Sequence, residues 1–120
     1  MKFGDFIKEL RLKSGLGLRE FCKKYGHDAS NWSKIERSIL LPPSDEKTLI
    51  KWAKELKIEK NSTDWFTFFD LASASRGEIP ADILTDENIV AKLPLFYRTL
   101  RGQKPTTEEM KNLAKLLKQN

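Results

Sequence analysis

The sequence predicts an all-α protein, and three observations carry that expectation. Apolar residues return at i, i+3 or i+4, and i+7 in one segment after another. Nowhere does a run alternate apolar and polar as a half-buried strand would. Ser, Thr or Asp stands ahead of the periodic runs, and Gly or Pro stands behind them. The 120 residues are 39% hydrophobic and include seven Phe, three Trp and two Tyr, enough apolar material for a core. The pattern divides into a five-helix domain over 1–73 and a shorter helical extension over 74–120.

The first helix is expected from Phe3 to Ser14, with Phe3, Ile7 and Leu10 on one stripe, Phe6 beside them, and Gly15 and Gly17 behind. The second, Leu18 to Tyr25, aligns Phe21, Cys22 and Tyr25 and stops at Gly26. It is about two turns long, so packing rather than propensity must hold it. Asp28 caps a third, in which Trp32 and Ile35 are the apolar positions and the remaining face is small and polar. Leu41-Pro42-Pro43 cannot continue a helix.

Ser44 or Asp45 caps a fourth helix reaching Leu56, with Leu49, Trp52, Ala53 and Leu56 facing the core. Asp64 is placed to cap a fifth, whose Trp65, Phe66, Phe68, Phe69, Leu71 and Ala72 are apolar on nearly all sides. Arg76 to Pro80 reads as a turn. Thr85 or Asp86 caps a short helix to Lys92, and Pro94 opens another that Gly102 closes. Thr106 and Glu109 have capping-box spacing ahead of a last helix over 107–118.

Charge and composition narrow the function. No run approaches the roughly 18 apolar residues of a membrane span, and Met1 to Asp5 does not read as a secretory leader. The lone Cys22 excludes an internal disulfide framework and fits a reducing cytoplasm. One Cys and one His exclude a Cys/His zinc site within the chain, and no metal or cofactor is expected. His27 is the single histidine a Ser/His/Asp arrangement could use, and neither a P-loop nor a Rossmann fingerprint exists, so an enzyme is not expected. The net charge is +5; residues 1–60 hold 14 Lys/Arg against 9 Asp/Glu, whereas 61–120 hold 8 of each. A basic half suggests a polyanionic partner, most often nucleic acid.

The third helix lies in that basic half. Two short helices joined by a tight Gly-containing turn, the second with small and polar side chains outward, fit a helix-turn-helix. The major groove admits one α-helix, and small side chains let its backbone approach the bases.

The run from Gly15 to Arg37 resembles the helix-turn-helix of the XRE family, which includes phage-type repressors and Cro. The family pattern, roughly G-L-T-Q-E-E-L-A-x-x-L-G-V-S-x-x-x-I-S-x-I-E-x-G, aligns without a gap. The resemblance implies a five-helix repressor-like domain ending near Leu71 and a sequence-specific regulator, most simply a repressor, that inserts helix 28–37 into the major groove as a dimer. By position, Ala29, Ser30 and Lys34 face the base edges, Asn31 and Ser33 lie beside them, and Arg37 reaches a phosphate. Arg19 and Lys23 are backbone contacts. Glu36 stands where the family has a Glu paired with an Arg of helix 1, and Arg11 takes that place here.

Leu18 replaces the usual phosphate-binding Gln, Gly17 the usual Thr or Ser cap, and Ser38 the usual Gly. Ile39-Leu40-Leu41 is unusually apolar for a DNA-facing loop and points to packing on the domain or a partner. The tail from Leu93 onward looks like those of small bacterial XRE regulators, antitoxins among them. Residues 75–120 then either hold a dimer or bind a toxin, the alternative being an antitoxin that represses its own operon. The aromatic helix 64–72 and the terminal helix 107–118 are the dimer candidates, and a covering layer over the first domain is an equal reading of both. Cys22 reads as a buried inert thiol, Trp32 and Trp52 as core, and His27 as a plain turn residue rather than a phosphate contact.

Overall fold

The computed structural model describes residues 1–102 together with 107, 108 and 111. Among the described residues there are seven helices and no strand: α1 Phe3–Lys13, α2 Leu18–Tyr25, α3 Ala29–Glu36, α4 Glu46–Glu55, α5 Thr63–Ser75, α6 Ala81–Leu84 and α7 Glu87–Leu100. The chain is all-α over that span. It divides into two compact units, Met1–Glu78 and Ile79–Asn120. No helix among the described residues is long and apolar enough to cross a membrane. The expected terminal helix 107–118 lies outside the described residues except at the three positions named.

The first unit surrounds one core. α1 contributes Phe3, Phe6 and Ile7, α2 Phe21 and Cys22, α3 Trp32 and Ile35, α4 Leu49, Trp52 and Ala53, and α5 Phe68 and Ala72. The sets from α1 to α4 follow the helical stripes read from the sequence, whereas α5, read as apolar on nearly all sides, buries only Phe68 and Ala72. α1 crosses the end of α3 so closely that a Cβ on Gly4 would collide with the carbonyls of Ile35 and Glu36. Trp65, Phe69 and Leu71 pack against the core while Phe66 is exposed, so α5 is a covering helix with one broad apolar face.

α3, α4, α5 and α7 start at side chains that accept the orphan N–H groups, whereas α1, α2 and α6 have no side-chain cap hydrogen bond. Asp28 accepts from Asn31 N–H ahead of α3, and Asp45, not Ser44, accepts from Thr48 N–H ahead of α4. The Thr48 hydroxyl also donates to Asp45, which holds that carboxyl below its ordinary value. The cap of α5 is Ser62, not Asp64: the Ser62 hydroxyl meets Trp65 N–H, and Asp64 sits in the first turn, where the helix dipole favours it.

The second unit departs from expectation in two places. Pro80 starts a four-residue helix, α6, that the sequence pattern did not announce. The two helices expected on either side of Pro94 are one, α7, with Asp86 accepting from Asn88 and Ile89 N–H and Pro94 inside. Pro94 and Val90 are both exposed, so water has access to the Val90 carbonyl that a proline four residues on leaves without an amide donor, and the helix continues.

Candidate nucleic-acid interface

α2 and α3 are short, and three residues, Gly26, His27 and Asp28, join them. Gly26 takes the left-handed conformation, φ 74°, that closes α2 and turns the chain. His27 is not a free turn residue. Its ring stacks on Trp32 at 4.6 Å between centroids and on Phe21 at 5.8 Å, and meets the edge of Trp52 at 5.7 Å. Its Nε2 lies 2.5 Å from Glu55 Oε2, and both side chains are largely buried. The turn ahead of α3 is thereby fastened to the last residue of α4.

The other end of α3 is fastened by charge. Arg11 Nε donates to Glu36 Oε2 at 2.7 Å and its Nη2 to Oε1 at 2.9 Å, a two-point pairing of fork and carboxylate. Trp32 Nε1 donates to the same Oε2 at 2.7 Å. Arg11 Nη1 donates to the Leu16 carbonyl at 2.9 Å, so the guanidinium also fixes the α1–α2 loop. Arg11 and Glu36 are both buried. The hydrogen bonds to Glu36 raise the guanidinium above its ordinary value, so it keeps its charge. Burial pushes the neighbouring Cys22 thiol up, which makes it a poor nucleophile.

With Trp32, Ile35 and Glu36 turned inward, about 100° per residue places Ser30, Ser33, Lys34 and Arg37 on the outward side of α3. Ser30 and Arg37 are exposed, and Ser33 and Lys34 half-buried. Arg37 folds back over the helix, its Nε 3.2 Å from Ser33 Oγ. The other residues read toward this face sit elsewhere. Ala29 packs against the core, and Asn31 is exposed on the flank, beside a hollow shared with Leu40, Leu41 and Trp52. Arg19 and Lys23 are exposed one turn apart on α2.

The loop behind α3 does not pack down. Ile39, Leu40 and Leu41 are exposed, whereas Pro42 is buried and its carbonyl accepts from Arg76 Nη1 at 3.0 Å. Sequence reasoning missed the His27–Glu55 contact and the Trp32–Glu36 hydrogen bond. The i, i+4 spacing of Trp32 and Glu36 was a visible signal for the second; the first joins residues 28 apart and had none. Compared with protein-family models, with curated proteins and with solved structures, the chain matches none.

Proposed function

We propose that this chain is a cytoplasmic, sequence-specific double-stranded-DNA-binding regulator of the XRE type, a repressor without catalytic activity. In this reading α2 and α3 form a helix-turn-helix, and α3 enters the major groove of each half-site of a dimer. The observation that carries the reading is the division of α3. One side is fixed by the Arg11–Glu36 pair and the Trp32–His27 stack, and the other offers Ser30, Ser33, Lys34 and Arg37 to solvent. A groove about 12 Å wide accepts such a helix. Lys34 can donate to guanine O6 or N7, Ser30 can pair with several bases, and Arg37, Arg19 and Lys23 supply charge for phosphates. Ala29, with its methyl packed against the core, has no base contact in this reading. The basic excess of residues 1–60 supports the same partner.

Fluorescence anisotropy tests it, with a duplex selected by the protein from a random library and a scrambled duplex as control. The expected result is selective binding that weakens steeply with salt. Lys34→Ala should cost about 1–3 kcal/mol and relax preference at one base position. Equal, weak binding to both duplexes overturns the reading.

A further inference from the structure

The outer face of α4 runs against two local rules of helix electrostatics. Lys47, Lys51 and Lys54 recur at i, i+4 and i+7. At about 100° per residue they span only about 60° of the helix, directly opposite Leu49, Trp52, Ala53 and Leu56, which enter the core. All three are exposed, and none of their ammonium groups has an ion-pair partner among the described residues. A solvated helix surface ordinarily mixes its charges, because like charges three or four residues apart repel and opposite ones pair. Here Lys47 faces Lys51, and Lys51 faces Lys54. The one acid at pairing spacing from any of them is Glu55, four residues past Lys51, and its carboxylate is turned inward onto His27. Lys47 also lies in the first turn, where the helix dipole disfavours a cation.

Folding does not require this arrangement, and departures from local preference concentrate at functional sites. The repulsion is relieved when an anion lies along the face. From Lys47 to Lys54 the stripe runs about 10 Å, at 1.5 Å per residue, so the matching anion is extended rather than a point. A nucleic-acid backbone and an anionic lipid surface are both extended. A helix held at a lipid surface buries an apolar face there as well as presenting charge. The apolar face of α4 is already inside the core. A phosphate backbone asks only for positive charge and is bound without regard to base sequence.

We propose that Lys47, Lys51 and Lys54 form a contact for DNA phosphates, on a different helix from the base-facing residues of α3, that adds affinity without sequence preference. The proposal rests on the DNA-binding reading for the identity of the polyanion, but it is measured on a duplex that α3 does not select.

Fluorescence anisotropy of the full chain with the scrambled duplex, over a series of salt concentrations, tests this. Lys47→Gln, Lys51→Gln and Lys54→Gln together remove the three charges and keep helix propensity. Losing three phosphate contacts should reduce the slope of log affinity against log salt by about 3, and Lys51→Gln alone by about 1. Binding of the triple variant should weaken at least about tenfold near physiological salt. The selected duplex should weaken by the same factor, which leaves the preference between the two unchanged. The thermal melt should stay in place, because the three side chains lie outside the core. Lys2→Gln with Lys8→Gln and Lys13→Gln removes the same charge from exposed positions around α1 and should leave the slope within about 1 of the wild type. A slope that the α4 variant leaves unchanged overturns the proposal. So does an equal loss from the α1 variant, which would make net charge the cause. If the α4 variant loses binding to vesicles of phosphatidylserine in phosphatidylcholine but keeps its duplex affinity, the partner is a lipid surface and the proposal is overturned. If the α4 lysines set the slope and no duplex is preferred, sequence reading by α3 fails and this surface stands. If one duplex is preferred and the slope ignores these lysines, the surface fails and the regulator reading stands.

Discussion

The C-terminal ends of α3 and α4 use the same backbone solution for different purposes. Each helix ends on a buried glutamate, Glu36 or Glu55. Each is followed by a non-glycine residue in the left-handed region, Ser38 at φ 62° or Lys57 at φ 60°, and then by an isoleucine. The hydrogen bonds match as well: Ser38 N–H to Ile35 O and Ile39 N–H to Lys34 O in one, Lys57 N–H to Lys54 O and Ile58 N–H to Ala53 O in the other. The surroundings differ. Glu36 takes two hydrogen bonds from a guanidinium and one from an indole, whereas Glu55 meets an imidazole. Ile58 is 7% exposed and Ile39 is 60% exposed. The end of α4 closes the core with an apolar side chain; the end of α3 is held by charge and leaves its apolar side chain in solvent. A capping motif therefore says how a helix stops, not what the chain does next.

Removing the charges should separate the two ends most. A carboxylate at a helix C-terminus opposes the dipole, so both glutamates depend on their partners. Arg11→Ala leaves Glu36 buried without its cation and should cost about 3–5 kcal/mol. Glu55→Gln keeps shape and one hydrogen-bonding partner and should cost about 1–2 kcal/mol. Urea unfolding measures both. The raised folded-state value of Arg11 means its stabilisation is present below the arginine's ordinary value and fades only as pH rises through a strongly alkaline range, so the Arg11 effect should not change between mildly acidic and mildly basic buffer. If Arg11→Ala unfolds at the wild-type urea concentration, α3 is not held by charge and the contrast collapses.

The isoleucines give the next contrast. Ile58→Ala opens a cavity in the core and should cost about 2–4 kcal/mol. Ile39→Ala removes a side chain that is mostly in water and should stay within about 0.5 kcal/mol. Equal losses would mean that Ile39 is covered in solution, and the two ends would then be alike.

How far the molecule could be read beforehand follows the same division between local and distant. The stripes Phe3-Ile7-Leu10, Phe21-Cys22-Tyr25, Trp32-Ile35 and Leu49-Trp52-Ala53-Leu56 were visible because helical periodicity is a local property; their residues are buried, except Leu10 and Tyr25, which pack half-buried against the core. Asp28 was visible as a cap for the same reason, and Asp45 as one of two candidates with Ser44. Asp64 was read as the cap of α5 in place of Ser62, because both residue types cap helices and spacing alone does not rank two candidates two residues apart. Pro94 was read as a helix start, because its effect depends on whether the carbonyl it frees can reach water, which is a tertiary fact. Nothing local announces that two carbonyls of α3 lie against the Cα of Gly4. Of the candidate site, the pairing of Arg11 with Glu36 came from family resemblance. The inward turn of Ala29 and the burial of His27 depend on where α2 and α4 pack.

The smallest effect bears most directly on whether the two ends share one motif. A non-glycine residue in the left-handed region costs roughly 1–2 kcal/mol relative to right-handed backbone, because its Cβ crowds the following carbonyl. Glycine escapes that crowding but gives up more backbone entropy on folding, roughly 0.5–1 kcal/mol. The difference favours glycine, so Ser38→Gly should stabilise by about 0.5–1 kcal/mol, and Lys57→Gly by a similar amount, read as a rise in melting temperature. Equal gains would place everything that distinguishes α3 from α4 in the side chains around Glu36, Glu55 and the two isoleucines. If Lys57→Gly stabilises and Ser38→Gly does not, the serine hydroxyl offsets its own backbone strain. The end of α3 would then be a distinct structure, built for the loop that carries Ile39 to Leu41 outward rather than a copy of the cap that closes α4.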